Sequence, residues 1–550
     1  MTLGLEPQHG RRLRAPRESG STMIEPPPDD LAAIVEENLA LGRQASYDLH
    51  GRCLGEVSRQ ARGELLAAAF RWTTAYRDVD PPPEEAAEGA IFLAGHQPQL
   101  FHPGVWFKNF ALAALARRHG ATAVNLLIDT DTFRQNSIPL PGGSLSEPKR
   151  LAVPLDRFER PIPFEERKIL DAELFAGFDR RAGEHLEPLV AGPLLYDYWS
   201  MVRERMRQTG NLGACLAQSR HQLEGRWGLS TLELPESVVC SSESFRWFTA
   251  HVLAHLPRFR TVYNEAAREY RRRNRIRNVA HPVPDLAAED GWLEAPFWIW
   301  TAENPLRRRL FVRLGRDRVE LSDRQGSEFL LSLSADGPAE RAVEQLATLS
   351  AKGVKIRARA LITTLWARLA LGDLFIHGIG GAKYDQVTDV LVERFFGLRP
   401  PGFAVASGTL HLRTDCPEVS EDDQRLIRRR LRELRFHPEQ YFDPAVATAL
   451  GDVPAEAAPD PQALITAKRR WIETAPEGAD ARRRFLEIRR VNEALQPWVA
   501  SERRRLEAER QRVAAALRAR SVLCWREYPF CFYPKDSLRN FLRRLLPKNG

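Results

Sequence analysis

The chain has 550 residues, 43% of them hydrophobic and 28% charged, more than one hydrophobic core usually sustains, so two or three structural units are expected. Six cysteines (Cys53, Cys215, Cys240, Cys416, Cys524 and Cys531) without a CxxC pair exclude a disulfide-stapled miniature and a zinc knuckle, and fit a reducing cytoplasm. No apolar run has the length of a signal peptide core or a membrane span, and 80 basic against 72 acidic residues leave a net charge of only +8.

In chain order, residues 1–25 read as a disordered extension. Pro26–Pro28 and Pro81–Pro83 bracket an N-terminal helical segment, 26–84, in which Leu31, Ile34, Leu39, Leu65, Leu66 and Phe70 recur at helical spacing. Residues 85–412 carry short apolar runs separated by helical stretches: Ile91–Ala94, Val124–Ile128, Val238–Cys240, Leu374–Ile376 and Phe403–Ala406. Continuous apolar runs with intervening helices predict an α/β fold with a Rossmann-like parallel sheet core. Tryptophan-rich residues 278–336 read as an inserted antiparallel β element. From 413 to 550 the pattern predicts a C-terminal helical or coiled-coil region, where Val499, Leu506 and Val513 fall seven apart with Leu517 one turn later. This is a seam for a homodimer or for packing within the chain. The closing segment, with Trp525, Tyr528, Phe530, Phe532 and Tyr533, is too aromatic for a free tail and should dock on the body of the protein. Arginine runs such as Arg271–Arg273 and Arg503–Arg505 have acidic neighbours and read as solvated helix faces, not a nucleic-acid groove.

Ligands of open α/β sheets bind beyond the carboxyl ends of the strands. The first run is followed by Gly95, His96, Gln97 and, before a helix, His102: a Gly/Pro/His loop suited to phosphate or carboxylate. The second is followed by Asp129-Thr130-Asp131, two carboxylates which in extended geometry share a side and call for a neutralising partner. Capping of the next helix is the plainer reading. The fourth leads into His377, Gly378, Gly380, Gly381, Lys383 and Tyr384, where glycines admit close approach of a ligand and Lys383 supplies a point charge. Ser241–Ser244 read as caps. His251 and His255 stand at i and i+4, but Val252 occupies the place of the general-base glutamate of a zinc-protease motif, so no metal site is expected.

The order of Gly95-His96-Gln97…Leu100…Pro103-Gly104, Asp129-Thr130-Asp131, Tyr263-Asn264 with Tyr270-Arg271, and Gly378–Lys383 resembles the bacillithiol biosynthesis cysteine-adding enzyme family over about 91–412. His96, Thr130 and Lys383 stand where that pattern has Gln, His and the Pro-Gly-Glu ending. The resemblance implies a Rossmann-like nucleotidyl-transferase-type core, a helical dimerisation element and a ligase joining cysteine to an amino sugar, with ATP or ADP as a possible cofactor. Asp129, Asp131 and His96 would then be catalytic; Gly95, Gln97, His102, His377, Gly378, Gly380, Gly381, Lys383 and Tyr384 would hold substrate or nucleotide. The alternatives are a nucleotide-dependent transferase of the same fold, or a non-catalytic coiled-coil interaction protein.

Overall fold

A computed structural model describes residues 13–134, 136–145, 147–278, 283–412, 417–442, 459–473 and 480–546. Its strands are β1 (Ser21–Glu25), β2 (Ile91–His96), β3 (Thr122–Leu127), β4 (Ser137–Gly143), β5 (Pro148–Pro154), β6 (Leu232–Pro235), β7 (Ala288–Glu289), β8 (Trp292–Thr301), β9 (Arg308–Leu314), β10 (Val319–Ser322), β11 (Glu328–Leu331), β12 (Val354–Ala358), β13 (Leu374–His377) and β14 (Phe403–Thr409). The chain divides into a first unit of Met1–Gly142, Leu151–Leu412 and Arg526–Gly550, and a second of Gly143–Arg150 and Arg413–Trp525.

The first unit is built on a six-stranded sheet of order β1-β14-β13-β2-β3-β6, parallel except for β1, which pairs antiparallel with β14. Strand alternation divides its side chains between two cores. Ile91, Leu93, Val124, Leu126, Leu232 and Leu234 enter one cluster with Leu65 of the helix Leu54–Thr74, Phe248 of Glu243–Ala254, and Ile362 and Trp366 of Ala360–Trp366. Phe92 points the other way, 5.6 Å ring to ring from His119 on the helix Pro103–His119. That helix starts with proline, is capped by His102, and stops at left-handed Gly120 (φ 63°). It buries Trp106, Phe107 and Phe110 completely, each contributing about 1.5–3 kcal/mol of transfer free energy.

Two elements tie the chain ends to this sheet. Helices Leu31–Gln44 and Leu54–Thr74 form the expected N-terminal pair, and Asn38 Nδ2 donates to the carbonyls of Asp373 and Gly402, both at 2.8 Å. The closing aromatic segment docks on the helix 103–119. Phe530 lies 4.2 Å from the Trp106 ring, its N–H donates to Phe101 O at 2.8 Å, and the Tyr533 hydroxyl donates to Leu410 O. Residues after 525 therefore belong with the sheet and not with the helical region preceding them.

Three sequence expectations are corrected. Ser21–Glu25, assigned to a disordered extension, is an edge strand; the extension's residues 1–12 lie outside the described residues. Val238–Cys240 is not a strand: Glu236–Val239 is a turn of helix, and the preceding Leu232–Pro235 is the strand. Four residues of β6 are too short a run to outweigh the Val-Val-Cys that follows. The antiparallel sheet, order β11-β10-β9-β8-β12 with β7 on β8, reaches beyond the expected insert because β12 joins it, Ile356 opposite Ile299.

The second unit is helical: Glu421–Phe436, Pro461–Glu473, Asp480–Leu495 and Ala500–Leu523. The first of these begins with a capping box, Ser420 and Asp423 each bonding the other's backbone N–H. Val499 and Leu506, two positions of the seven-residue seam, are buried against Leu434 of the same chain. Val513 and Leu517 are only half-buried.

Candidate active site at the strand ends

Asp129 and Asp131 do not stand side by side in extended backbone; the chain turns at Asp129-Thr130, and the two carboxylates take different partners. Asp129 accepts from the Ser237 amide at 2.9 Å and from the Ser237 hydroxyl at 2.5 Å, just after β6. Asp131 accepts from Gln97 Nε2 at 3.0 Å, which bridges the ends of β2 and β3, and from Arg307 Nη1 at 2.8 Å. Thr130 between them is buried and donates to Glu236 at 2.5 Å; Thr363 donates to the other oxygen of Glu236. The backbone amides of Phe164 and Glu165 donate to Asp131 O and Asp129 O, both at 2.9 Å, and so bring Glu165 into the group.

The electrostatics separate these acids. Burial, reinforced by the charge of Glu165, raises Asp129 to about 8, against the two bonds from Ser237. Burial likewise raises Glu236 to about 7. Asp131, whose side chain is 35% exposed, is instead paired with a guanidinium. Glu165 is held by the Arg357 fork at 3.0 and 3.1 Å. Arg307 and Arg359 both lie over the Trp298 ring, at 4.4 and 4.3 Å. Tyr384 reaches the same surroundings: burial, with the charges of Asp385, Asp131 and Glu236, pushes its hydroxyl up to about 12. Gln97, Asp129, Asp131 and Tyr384 thus converge with Glu165, Glu236, Arg307 and Arg357, none of which the sequence singled out. Arg307 stands in an arginine triplet that sequence alone reads as a solvated face.

The other expected site residues have contacts of their own. His96 follows the strand alternation away from Gln97, onto the face of Lys108 and Arg220, where burial and then Lys108 keep its imidazole neutral, well below the usual histidine range. Its ring packs edge-on to Phe101 at 5.1 Å. Gly95 serves close strand packing: a Cβ there would stand 3.3 Å from Ile128 Cδ1 and 3.4 Å from Leu126 O. Its carbonyl accepts from buried Lys108, which burial and Arg220 bring down to about 7. His102 is the cap of the helix 103–119, its Nδ1 accepting from Gly104 N at 3.1 Å; burial lowers it to about 4.

His377 is fully engaged below the surface. Its Nε2 is 2.9 Å from Asp385, which also accepts from Arg368 and Thr364. Although burial alone would raise Asp385, Arg368 and His377 hold it well below the usual carboxylate range. Gly381 is required by this packing, since a Cβ would meet His377 Nδ1 at 2.9 Å, whereas Gly378 and Gly380 face open space. The segment expected as a glycine turn is the helix Ile379–Tyr384, and Lys383 on it is exposed. Asn264 and Arg271 brace the chain entering the antiparallel sheet: Asn264 exchanges two bonds with Leu286, and Arg271 donates to Val283 O.

No known protein family and no curated protein gives a significant match to this sequence.

Proposed function

We propose that the chain is a C–N bond-forming ligase whose small polar substrates meet at the ends of β2, β3 and β6. Asp129 carries this reading: a carboxyl with a pKa near 8, beside an ion-paired Asp131, is matched to exchanging a proton near neutral pH. In such a reaction an amine nitrogen attacks an activated carboxyl carbon, the surplus ammonium proton passes to Asp129, and the leaving group departs with its electron pair. Asp131, fixed by Gln97 and Arg307, orients the amine before attack. Cysteine and an amino sugar are the substrates suggested by the motif order around Gly95–Gly104 and Asp129–Asp131, and ATP or ADP would supply the activation.

The pair of guanidiniums on Trp298 favours a second reading, a transferase of the same fold that binds a nucleotide phosphate there. A thermal-shift screen with cysteine, amino sugars, ATP and ADP tests both, since a ligand at 100 times its dissociation constant stabilises by about 2.7 kcal/mol. The ligase reading expects a shift with an amine substrate that disappears in Asp131→Asn. A shift unchanged by that substitution removes Asp131 from the site.

A further inference from the structure

Three imidazoles of the first unit meet, two from one helix and the third from about 200 residues earlier in the chain. His251 and His255 lie one turn apart at the end of the helix Glu243–Ala254, and His50 comes from the turn before Leu54. One ring nitrogen or other of each lies within 4.8 Å of those of the other two. The ring centroids are separated by 4.5 Å (His251–His255), 5.6 Å (His50–His255) and 6.0 Å (His50–His251). Three imidazoles sharing one tetrahedral ion at bonds of about 2 Å place their centroids about 5 Å apart.

We propose that His50, His251 and His255 form a binding site for a divalent transition-metal ion of the zinc type, three protein ligands leaving a fourth position open. The hydrogen bonding assigns the ligand atoms. His255 Nδ1 is 3.0 Å from His251 O, which leaves its Nε2 for the ion. The Tyr47 hydroxyl takes His251 Nε2 at 2.9 Å, and His251 Nδ1, on a side chain 2% exposed, has no hydrogen-bond partner. His50, 5% exposed, makes no well-formed hydrogen bond through either nitrogen, although the Ser334 and Gly337 backbone is near. Metal-bound histidines are oriented in this way, one nitrogen on a backbone carbonyl or a hydroxyl and the other on the ion.

Two buried imidazoles with empty nitrogens otherwise lose hydrogen bonds to water for nothing in return. His50 is moreover held at φ 57°, beside Gly51 at φ 89°, a left-handed turn position in which asparagine or glycine is the easier residue. Of the charged groups nearby, Arg258 donates to the carbonyls of Arg394 and Phe395 and stacks on Phe395, and Asp48 accepts from Gly51 N. The other histidine and carboxylate group, His221, Glu224 and Glu233, is a contrast, because Arg220 bonds both of its acids and supplies the positive charge.

The test uses the full-length protein, stripped with a chelator and titrated with Zn2+ while melting is followed, and with Co2+ while the visible spectrum is recorded. The expected result is one equivalent bound per chain, a raised Tm with Zn2+ and an intense tetrahedral Co2+ band. His255→Gln, at a half-exposed ring, should weaken Zn2+ affinity at least about 100-fold with the metal-free melting curve retained, and His50→Gln should do the same. Folded wild-type protein that gives neither a Co2+ band nor a Zn2+-dependent melting shift overturns the proposal, and so does a band that survives both substitutions. The wild-type spectrum decides the matter even where a variant fails to fold.

Discussion

The first unit contains two acidic groups, one pairing Glu224 of the helix Leu212–Arg226 with Glu233 of β6 and the other at the strand ends, and they are neutralised in opposite ways. On one face, Glu224 and Glu233 share the Arg220 guanidinium. Glu224 also accepts from Trp106 at 2.5 Å and Asn109 at 2.8 Å, and Glu233 from Asn125 at 2.6 Å. His221 beside them is satisfied by Tyr76 at 2.7 Å and by Thr231. Burial raises Glu233, with Arg220 working against it. At the strand ends, Asp129 receives only a hydroxyl and an amide from Ser237, with no cation bonded to it, and burial beside Glu165 raises it to about 8. The difference teaches that burial of charge does not by itself mark a site. A group whose charge is met by a cation bonded to it within the protein is framework, whereas one left to hold its own proton is available to a substrate.

The largest test of this contrast is Arg220→Ala. Removing the shared cation leaves two buried acids uncompensated, and the expected loss is about 3–5 kcal/mol in urea unfolding. A loss below about 1 kcal/mol would mean that the network is not held by that charge. Asp129→Asn should act in the opposite direction and with pH. The raised folded-state pKa means that Asp129 contributes its full stability below about 4, the pKa of the unfolded chain, and that this contribution is lost as pH rises towards 8. Asn removes that dependence. The variant should therefore gain on the wild type progressively from pH 4 to pH 8 in urea unfolding. A stability difference that is flat across this range would show that Asp129 is ionised in the native state. The smallest effect is expected for Gln97→Ala, which removes one bond to a half-exposed carboxylate that Arg307 still holds. Stability should change by only about 0.5 kcal/mol, so any weakening of ligand binding by this variant reports on the site itself.

The sequence by itself determined the sheet-forming runs at Ile91, Val124, Leu374 and Phe403, the N-terminal helices and the docking of the aromatic close, because these rest on apolar content and spacing that act locally. It also placed Gln97, Asp129 and Asp131 at strand ends. Tertiary structure alone decided the rest. Whether His96 or Gln97 faces the carboxylates depends on which side of the sheet each residue takes, and sequence gives no register for a strand end. Arg307, Arg357 and Glu165 arrive from segments up to 192 residues from their partners, and nothing in their own neighbourhoods distinguishes them from solvated charge. His50 is the plainest case. His251 and His255 carried a visible spacing with no third ligand in view, and only the packing of a turn about 200 residues earlier in the chain onto their helix supplies one, because metal-binding geometry is a property of where side chains end in space.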